Sequence, residues 1–220
     1  MLSDGWTVRL QQPADHSVTR ALLLLHGWTG DETVMWIFTR KLAPNYWIFA
    51  PRGPVKAPGG GYGWTSHDSA DRYSLASLEP VVHRLAQSIP VWMEQAGLPS
   101  SAANLPFDLM GFSQGAVMSF AVQAFYPERV RRVAALAGFF PAAGERADLL
   151  DSFQGKQVYI AHGTQDETVP VEKAQEAVRL LQQHGADVTY CESETGHKLS
   201  APCLRGLEAF FNAERTPPDR

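Results

Sequence analysis

The sequence predicts an α/β fold with a mostly parallel central sheet and helices on both of its faces. Short apolar segments alternate with longer helical patterns along the 220 residues. Several short segments, such as ALLLL at 21–25, are apolar at every position, which is typical of strands buried on both faces of a parallel sheet. Strands that alternate with helices favour parallel pairing through helical crossovers. The length suits one α/β domain, which we expect to span residues 1–220.

The elements follow in a regular order along the chain. The predicted strands are 6–11, 21–26, 46–50, 107–111, 132–138, 157–162 and 187–192. The predicted helices lie near 33–43, 73–96, 114–126, 171–184 and 200–213. Pro127 ends the third helix, and Pro170 stands where the start of the fourth tolerates proline. Two segments are irregular, the Gly- and Pro-rich stretch 50–71 and GFFPAAGE at 138–145, and neither is long enough to form a large cap domain.

Composition and charge narrow the functional classes. The chain is 45% hydrophobic and 19% charged with a net charge of -4, which argues against nucleic acid or an anionic membrane as the main partner. The N-terminal sequence lacks a signal-peptide pattern and ALLLL is too short to span a bilayer, so we expect a cytoplasmic protein without stable membrane insertion. Cys191 and Cys203 are predicted to be free thiols in a reducing compartment. The sequence does not determine the oligomeric state, and a homodimer is compatible with it.

A serine between two glycines, in GFSQG at 111–115, is the main candidate for a functional residue. The motif follows the predicted strand 107–111 and opens the predicted helix 114–126, which is the context that a G-x-S-x-G nucleophile turn requires. Such a turn strains the serine backbone, and glycines at 111 and 115 relieve crowding between strand and helix. An isolated match is as often a plain packing turn, but the context favours Ser113 as a nucleophile.

A nucleophilic serine needs a base, which follows an acid along the chain in this type of fold. Three histidines follow Ser113. His197 lies in the loop ESETGHKLS between the last strand and the last helix, where it can reach back over the sheet edge, and is the predicted base. His184 is late in an amphipathic helix and is predicted to be on the surface. His162 ends a strand upstream of the acid and is predicted to be a packed, hydrogen-bonded residue.

The candidate acid lies in the loop HGTQDETVP, after the predicted strand 157–162. Asp166 is the predicted residue that orients His197, with the adjacent Glu167 as the alternative. Asp187 begins a strand and therefore lies at the wrong edge of the sheet.

Backbone amides complete the predicted site. The amide of Gln114 lies at a helix N-terminus, and the amide of Trp28 follows the tight turn in HGWTGDE, so both are candidate donors to an oxyanion. Trp28, Trp64, Phe139 and Phe140 are aromatic candidates for lining a substrate cleft, with packing in the core as the equal alternative.

Four motifs stand in order, LLHGWTGDE, GFSQG, HGTQDETVP and TGHKLS, with APRGP at 50–54. Together they resemble the phospholipase/carboxylesterase group of α/β-hydrolases, the small lidless esterases related to acyl-protein thioesterases, over roughly residues 20 to 212. The resemblance implies the α/β-hydrolase fold, a triad of Ser113, Asp166 and His197, and an oxyanion hole formed by the amides of Trp28 and Gln114. The loop WTGDE departs from the thioesterase branch, which usually has a leucine and a shorter glycine-aspartate turn there.

The predicted activity is hydrolysis of short- to medium-chain acyl esters, which are small molecules, by a serine carboxylesterase through an acyl-enzyme. A lysophospholipase, an acyl-thioesterase or an acyltransferase could use the same triad. A hydrolase-like binding protein without catalysis is the alternative from another class, and the presence of all three triad residues argues against it. We expect no metal and no cofactor, because GGGYG at 59–63 lacks the setting of a phosphate loop and no His/Glu zinc spacing occurs.

Overall fold

A seven-stranded sheet forms the centre of the protein in the computed structural model. The structure describes residues 5–18, 20–42, 45–66, 71–98 and 105–213. Some parts of the predicted elements lie outside the described residues: the end of the 33–43 helix, residues 67–70 of the irregular stretch, and both ends of the 1–220 domain.

The sheet is mostly parallel, as predicted. Its strands are β1 Val8–Gln11, β2 Ala21–Leu25, β3 Trp47–Pro51, β6 Phe107–Phe112, β7 Val130–Leu136, β8 Gln157–Gly163 and β9 Asp187–Ser193. Their order is β1-β3-β2-β6-β7-β8-β9, in which only the pairing of β1 with β3 is antiparallel. The short strands β4 Val55–Lys56 and β5 Tyr62–Gly63 form a separate antiparallel pair within the irregular stretch. The loops after the parallel strands therefore meet at one edge of the sheet, where α/β proteins bind their ligands.

Four α-helices lie in the described residues: α1 Leu75–Ala96, α2 Gln114–Phe125, α3 Val171–Gln183 and α4 Ala201–Asn212. Within the described part of the chain, none of them is both long and apolar enough to cross a membrane. The helix predicted near 33–43 is instead a 3-10 helix, Val34–Phe38. Its sequence VMWIF consists largely of β-branched and aromatic residues, which favour α-helices weakly, and Thr33 supplies no side-chain cap.

The alternation of side chains along β2 divides the core into two layers. Leu23 and Leu25 belong to the buried cluster that includes residues of α1, α2 and α3, whereas Leu22 and Leu24 belong to the cluster that includes residues of α4 and the 3-10 helix. All five residues of β2 are buried. The prediction of helices on both faces of the sheet is confirmed.

The connection between β7 and β8 is compact. Residues 137–156 contain a 3-10 helix, Gly144–Phe153, and no strand or α-helix, and all of them are described. No large cap domain is inserted at this connection.

A buried ionic cluster lies toward the opposite, amino edge of the sheet. Asp108 in β6 has no exposed side-chain area and accepts hydrogen bonds from Arg131 and, at 2.7 Å, from the hydroxyl of Tyr46. Arg20 donates to the carbonyl of Phe211 in α4 at 2.7 Å and lies 3.7 Å from Asp108. Burial, reinforced by the carboxylate, raises the pKa of Tyr46 and keeps its hydroxyl a donor. The cluster thus ties the C-terminal helix to the sheet.

The two cysteines form a disulfide between Cys191 in β9 and Cys203 in α4, with their Cα atoms 5.7 Å apart. The prediction of two free thiols is therefore wrong. The loop after β9 turns α4 back against the strand, and this return brings together two side chains that lie 12 positions apart in the sequence. The bond closes a loop that contains His197.

Candidate active site

The nucleophile candidate lies in a strained turn between β6 and α2. Ser113 has φ +54° and ψ -119°, a region that non-glycine residues rarely adopt. Its amide donates to the carbonyl of Leu136 in β7 at 2.8 Å, and its carbonyl accepts from the amide of Ala116 at 2.9 Å. Hydrogen bonds from both sides therefore hold the strained conformation that GFSQG predicts.

The two glycines of this motif lie where no side chain fits. A Cβ atom on Gly111 would lie 2.0 Å from the carbonyl oxygen of Gly115. A Cβ atom on Gly115 would lie 1.9 Å from the carbonyl oxygen of Leu25 in β2. Strand and helix backbones are in direct contact, so the position of Ser113 is set by main-chain packing.

The predicted acid and base are in contact. Oδ2 of Asp166 lies 2.6 Å from Nδ1 of His197, while Oδ1 accepts from the amides of Thr168 and Val169, each at 2.9 Å. The Asp166 side chain is fully buried, whereas the alternative acid Glu167 is exposed. The carboxylate requires a proton on Nδ1 of His197, which leaves Nε2 as the ring nitrogen able to accept one.

Ser113 and His197 line one cavity of about 460 Å³. The ring of His197 packs edge-on against Phe112, with the ring centres 4.9 Å apart. Both residues are described, and no hydrogen bond joins the serine hydroxyl to the imidazole. The other walls are largely apolar, and include Trp28, Val34, Met35, Ile37, Phe38 and Leu199.

Of the two predicted oxyanion donors, Trp28 lines this cavity, and Gln114 directly follows Ser113, which also lines it. Gln114 is the first residue of α2, where an amide has no acceptor within the helix. Its buried side chain is engaged elsewhere, because Oε1 accepts from the amide of Trp64 at 2.9 Å and Nε2 donates to the hydroxyl of Thr65 at 3.3 Å. Trp28 lines the cavity, and its ring lies against Gly63, where a Cβ atom would come within 2.1 Å of the indole.

A residue to which the sequence analysis gave no role supports the Trp28 loop. His26 is buried at the end of β2; its Nε2 accepts from the amide of Gly53 at 2.9 Å, and its Nδ1 lies 2.7 Å from the carbonyl of Gly27. Because Nε2 accepts, the proton is on Nδ1 and is donated to Gly27. Burial lowers the pKa of His26, which favours this neutral form. The HG pair in LLHGWTGDE is the sequence signal that could have revealed it.

The predicted lining aromatic residues take three different places. Trp28 lines the Ser113 cavity. Trp64 is 1% exposed and packs between Trp6 and His26, with its indole N–H donated to the His26 carbonyl at 2.8 Å, so the prediction that it lines the cleft is corrected. Phe139 and Phe140 line a different cavity, of about 790 Å³, between the segment that follows β7 and α3.

Two lining residues were not identified as such from the sequence. Val34 and Ile37 are 43% and 69% exposed and form part of the wall of the Ser113 cavity. Their run, VMWIF, lies within the helix predicted near 33–43. The two residues lie three positions apart and so share one face of the 3-10 helix, which is directed toward the cavity and solvent.

The sequence model of the family described as Phospholipase/Carboxylesterase matches residues 9–214. The chain belongs to the phospholipase/carboxylesterase family. Curated relatives include "Esterase YpfH" of Escherichia coli, 25% identical over 197 residues that cover 86% of this chain and 80% of that protein. Another is "Acyl-protein thioesterase 1" of Eremothecium gossypii, 26% identical over 232 aligned positions that cover 92% of this chain and 89% of that protein.

Solved structures show the same fold. A carboxylesterase from Mesorhizobium loti superimposes with a TM-score of 0.76 at 24% identity and covers 95% of both chains. The Bacillus cereus carboxylesterase gives a TM-score of 0.80 at 20% identity over 96% of this chain and 95% of that one. The α/β-hydrolase fold and the resemblance to the phospholipase/carboxylesterase family are confirmed. Because the named relatives of this family include both an esterase and a thioesterase, membership alone leaves the type of acyl bond open.

Proposed function

We propose that this member of the phospholipase/carboxylesterase family is a serine carboxylesterase that hydrolyses short- to medium-chain acyl esters through an acyl-enzyme. The observation that carries the proposal is the 2.6 Å contact between Asp166 and His197, whose ring shares a cavity with Ser113. A buried acid, an oriented imidazole and a strained serine are the parts that this chemistry needs.

The reaction follows from this arrangement in two steps. In the first, Oγ of Ser113 attacks the ester carbonyl while Nε2 of His197 takes its proton, and Asp166 stabilises the resulting imidazolium. The amides of Trp28 and Gln114 donate to the oxyanion. The tetrahedral intermediate then collapses, and the alcohol leaves with the proton from His197. In the second step, water attacks the acyl-enzyme with the same base, and the carboxylic acid is released.

The apolar walls support an acyl ester as substrate. A cavity of about 460 Å³ is within the usual range for small-molecule sites, about 300–1,000 Å³. Each methylene removed from water contributes about 0.8 kcal/mol, so kcat/KM should rise about fourfold per methylene until the cavity is filled. The exposed Ile37 should contribute to this slope, and Ile37→Ala should flatten it in a series of p-nitrophenyl esters.

A thioesterase or a lysophospholipase on the same residues is the second candidate, and the relative named as a thioesterase favours testing it. A panel of matched oxygen esters, thioesters and lysophospholipids ranks the three substrate classes by kcat/KM. Faster turnover of the thioester or the lysophospholipid than of the matched ester would replace the carboxylesterase proposal.

A fluorophosphonate probe tests the nucleophile directly. We expect the wild type to be labelled and Ser113→Ala to be neither labelled nor active. Ser119→Ala is a matched control, because Ser119 is a buried serine in the same helix whose hydroxyl donates to the Gly115 carbonyl. If Ser113→Ala is labelled as fast as the wild type, another residue is the nucleophile. If no variant or wild-type sample reacts, the non-catalytic alternative is favoured.

Location and domain organisation stay predictions. The thiol argument for a cytoplasmic location no longer applies, because the cysteines form a disulfide and disulfides persist mainly in oxidising compartments. Blocking thiols at cell lysis and then counting the blocked cysteines tests this location: a fully oxidised pair opposes it.

A single domain over residues 1–220 predicts one cooperative unfolding transition in urea.

A further inference from the structure

A second histidine, His162, contacts Asp166, and the reaction described above does not use it. We propose that His162 is a positioning residue: a neutral imidazole that fixes the turn carrying Asp166, so that Oδ2 of this carboxylate stays directed at His197. The proposal rests on the proposed function, because His162 is assigned a role through the triad acid.

The geometry joins His162 to the turn at two points. His162 lies in β8, and its side chain has no exposed area. Its Nε2 atom is 2.8 Å from the carbonyl oxygen of Val169 and 3.4 Å from Oδ2 of Asp166. Oδ1 of Asp166 in turn accepts from the amides of Thr168 and Val169. Carboxylate and imidazole therefore close the same short turn, one through its amides and the other through its last carbonyl.

The protonation state of His162 follows from its partners. A carbonyl at 2.8 Å accepts only, so Nε2 carries a proton. Nδ1 is buried and has no hydrogen-bond partner in the described residues. If Nδ1 carried a proton, it would be a buried donor without an acceptor. This costs more free energy than leaving the lone pair of an unprotonated Nδ1 unused. His162 is thus the neutral Nε2–H tautomer, and no second cation competes with His197 for Oδ2 of Asp166.

The contact that depends on this turn tolerates little movement. Oδ2 of Asp166 lies 2.6 Å from Nδ1 of His197, and a displacement of about 1 Å in a catalytic group can cost on the order of 100-fold in rate. Without the Nε2 donor, the Val169 carbonyl loses its partner and the turn is held from one side only. His162 does not line the cavity that holds Ser113, so its loss should lower kcat and leave KM unchanged.

Two substitutions of similar length separate positioning from packing. His162→Gln can place an amide N–H near the position of Nε2, whereas His162→Met fills similar space without a donor. We expect His162→Met to lower kcat by about 10-fold to 100-fold at unchanged KM, and His162→Gln to recover most of the loss. Urea unfolding of both variants checks stability. Equal losses in the two variants, or losses that follow their stabilities rather than the donor, would overturn the proposal.

A double-mutant cycle tests whether His162 acts through Asp166. In the Asp166→Ala background, His162→Met should cost little further activity, because the group that it positions is gone. A full additional loss in that background overturns the proposal. These results differ from a failure of the proposed function itself, in which Ser113→Ala or Asp166→Ala retains wild-type turnover.

The tautomer gives a test that needs no variant to fold. Nitrogen-15 NMR of the histidine rings in the wild-type protein should show one buried imidazole, assigned to His162, as the neutral Nε2–H form at neutral pH. A protonated ring or the Nδ1–H form at this residue would contradict the proposal.

Discussion

Replacing Gly115 with alanine tests whether main-chain packing sets the position of Ser113. The new Cβ atom would lie 1.9 Å from the carbonyl oxygen of Leu25, 2.5 Å from its carbonyl carbon and 2.7 Å from the carbonyl oxygen of His26. Contacts below 3.0 Å are essentially never found for a Cβ atom, so α2 and β2 must separate by about 1.1 Å. All three obstructing atoms belong to backbone, which cannot move aside as a side chain does.

The expected effect is large on catalysis and moderate on stability. Overpacking of this kind costs about 1–3 kcal/mol in the free energy of unfolding. Gly115 lies in the first turn of α2, and Ser113 directly precedes that helix, so a shift of Gly115 also moves the serine and the Gln114 amide. A displacement of about 1 Å at the reacting atoms lowers kcat/KM on the order of 100-fold, which equals about 2.7 kcal/mol in activation free energy.

The measurements are kcat/KM with a p-nitrophenyl ester and the free energy of unfolding in urea. Gly206→Ala in α4 is the control, because its Cβ atom would meet the hydroxyl of Tyr159 at 2.7 Å and not the Ser113 turn. We expect Gly206→Ala to lower stability and leave kcat/KM unchanged. Wild-type kcat/KM in a folded Gly115→Ala variant would refute the claim that this contact positions the nucleophile.

Three further predictions concern stability. Asp108→Asn should lower the free energy of unfolding by about 3 kcal/mol, because it removes the charge that compensates Arg131 and Arg20. The same variant should leave kcat unchanged. A loss of kcat in native protein would contradict the assigned structural role. Because burial lowers the pKa of His26, its contribution to stability is complete above the unfolded pKa of about 6.5 and is lost as the pH falls toward the folded pKa, with a slope of up to about 1.4 kcal/mol per pH unit. Urea unfolding between about pH 7.5 and pH 5 should show a flatter slope for His26→Gln, and equal slopes would contradict this assignment. The double variant Cys191→Ser/Cys203→Ser should be less stable than the wild type by about 3 kcal/mol. Dithiothreitol should destabilise the wild type by a similar amount and leave the double variant unchanged. A disulfide that stabilises the protein is excluded if neither the substitutions nor dithiothreitol lowers the stability.

The central strands and the Ser113 turn could be predicted because their signals are local. The strand 107–111 and the helix that follows are each specified by their own residues, and GFSQG marks the junction; the observed β6 and α2 differ from the predictions by one residue at an end. The contact between Asp166 and His197 was predictable for another reason. In a parallel sheet, loops that follow neighbouring strands lie at one edge, so chain order alone placed these two residues near each other.

The wrong predictions concern the orientation of side chains, which the local sequence pattern does not determine. Cys191 and Cys203 were assigned to a strand and a helix correctly, but only the angle at which α4 returns to β9 decides that their side chains meet. Trp64 was predicted to line the cleft, but it packs against Trp6 and His26, which come from separate parts of the chain. His162 was predicted as a packed, hydrogen-bonded strand-end residue, and its contact with Val169 agrees with that prediction.

The disulfide has a consequence for how the protein opens locally. β9 is an edge strand, and edge strands are usually among the first elements to exchange their amide hydrogens. Here Cys191 joins β9 to α4, and the end of α4 is held in turn by hydrogen bonds from Arg20 and Arg132 to its carbonyls. We therefore expect the edge strand, the loop with His197 and α4 to open from the sheet as one cooperative unit. Their amides should report a common opening free energy, and His197 should stay in place during the smaller fluctuations that fray an ordinary sheet edge.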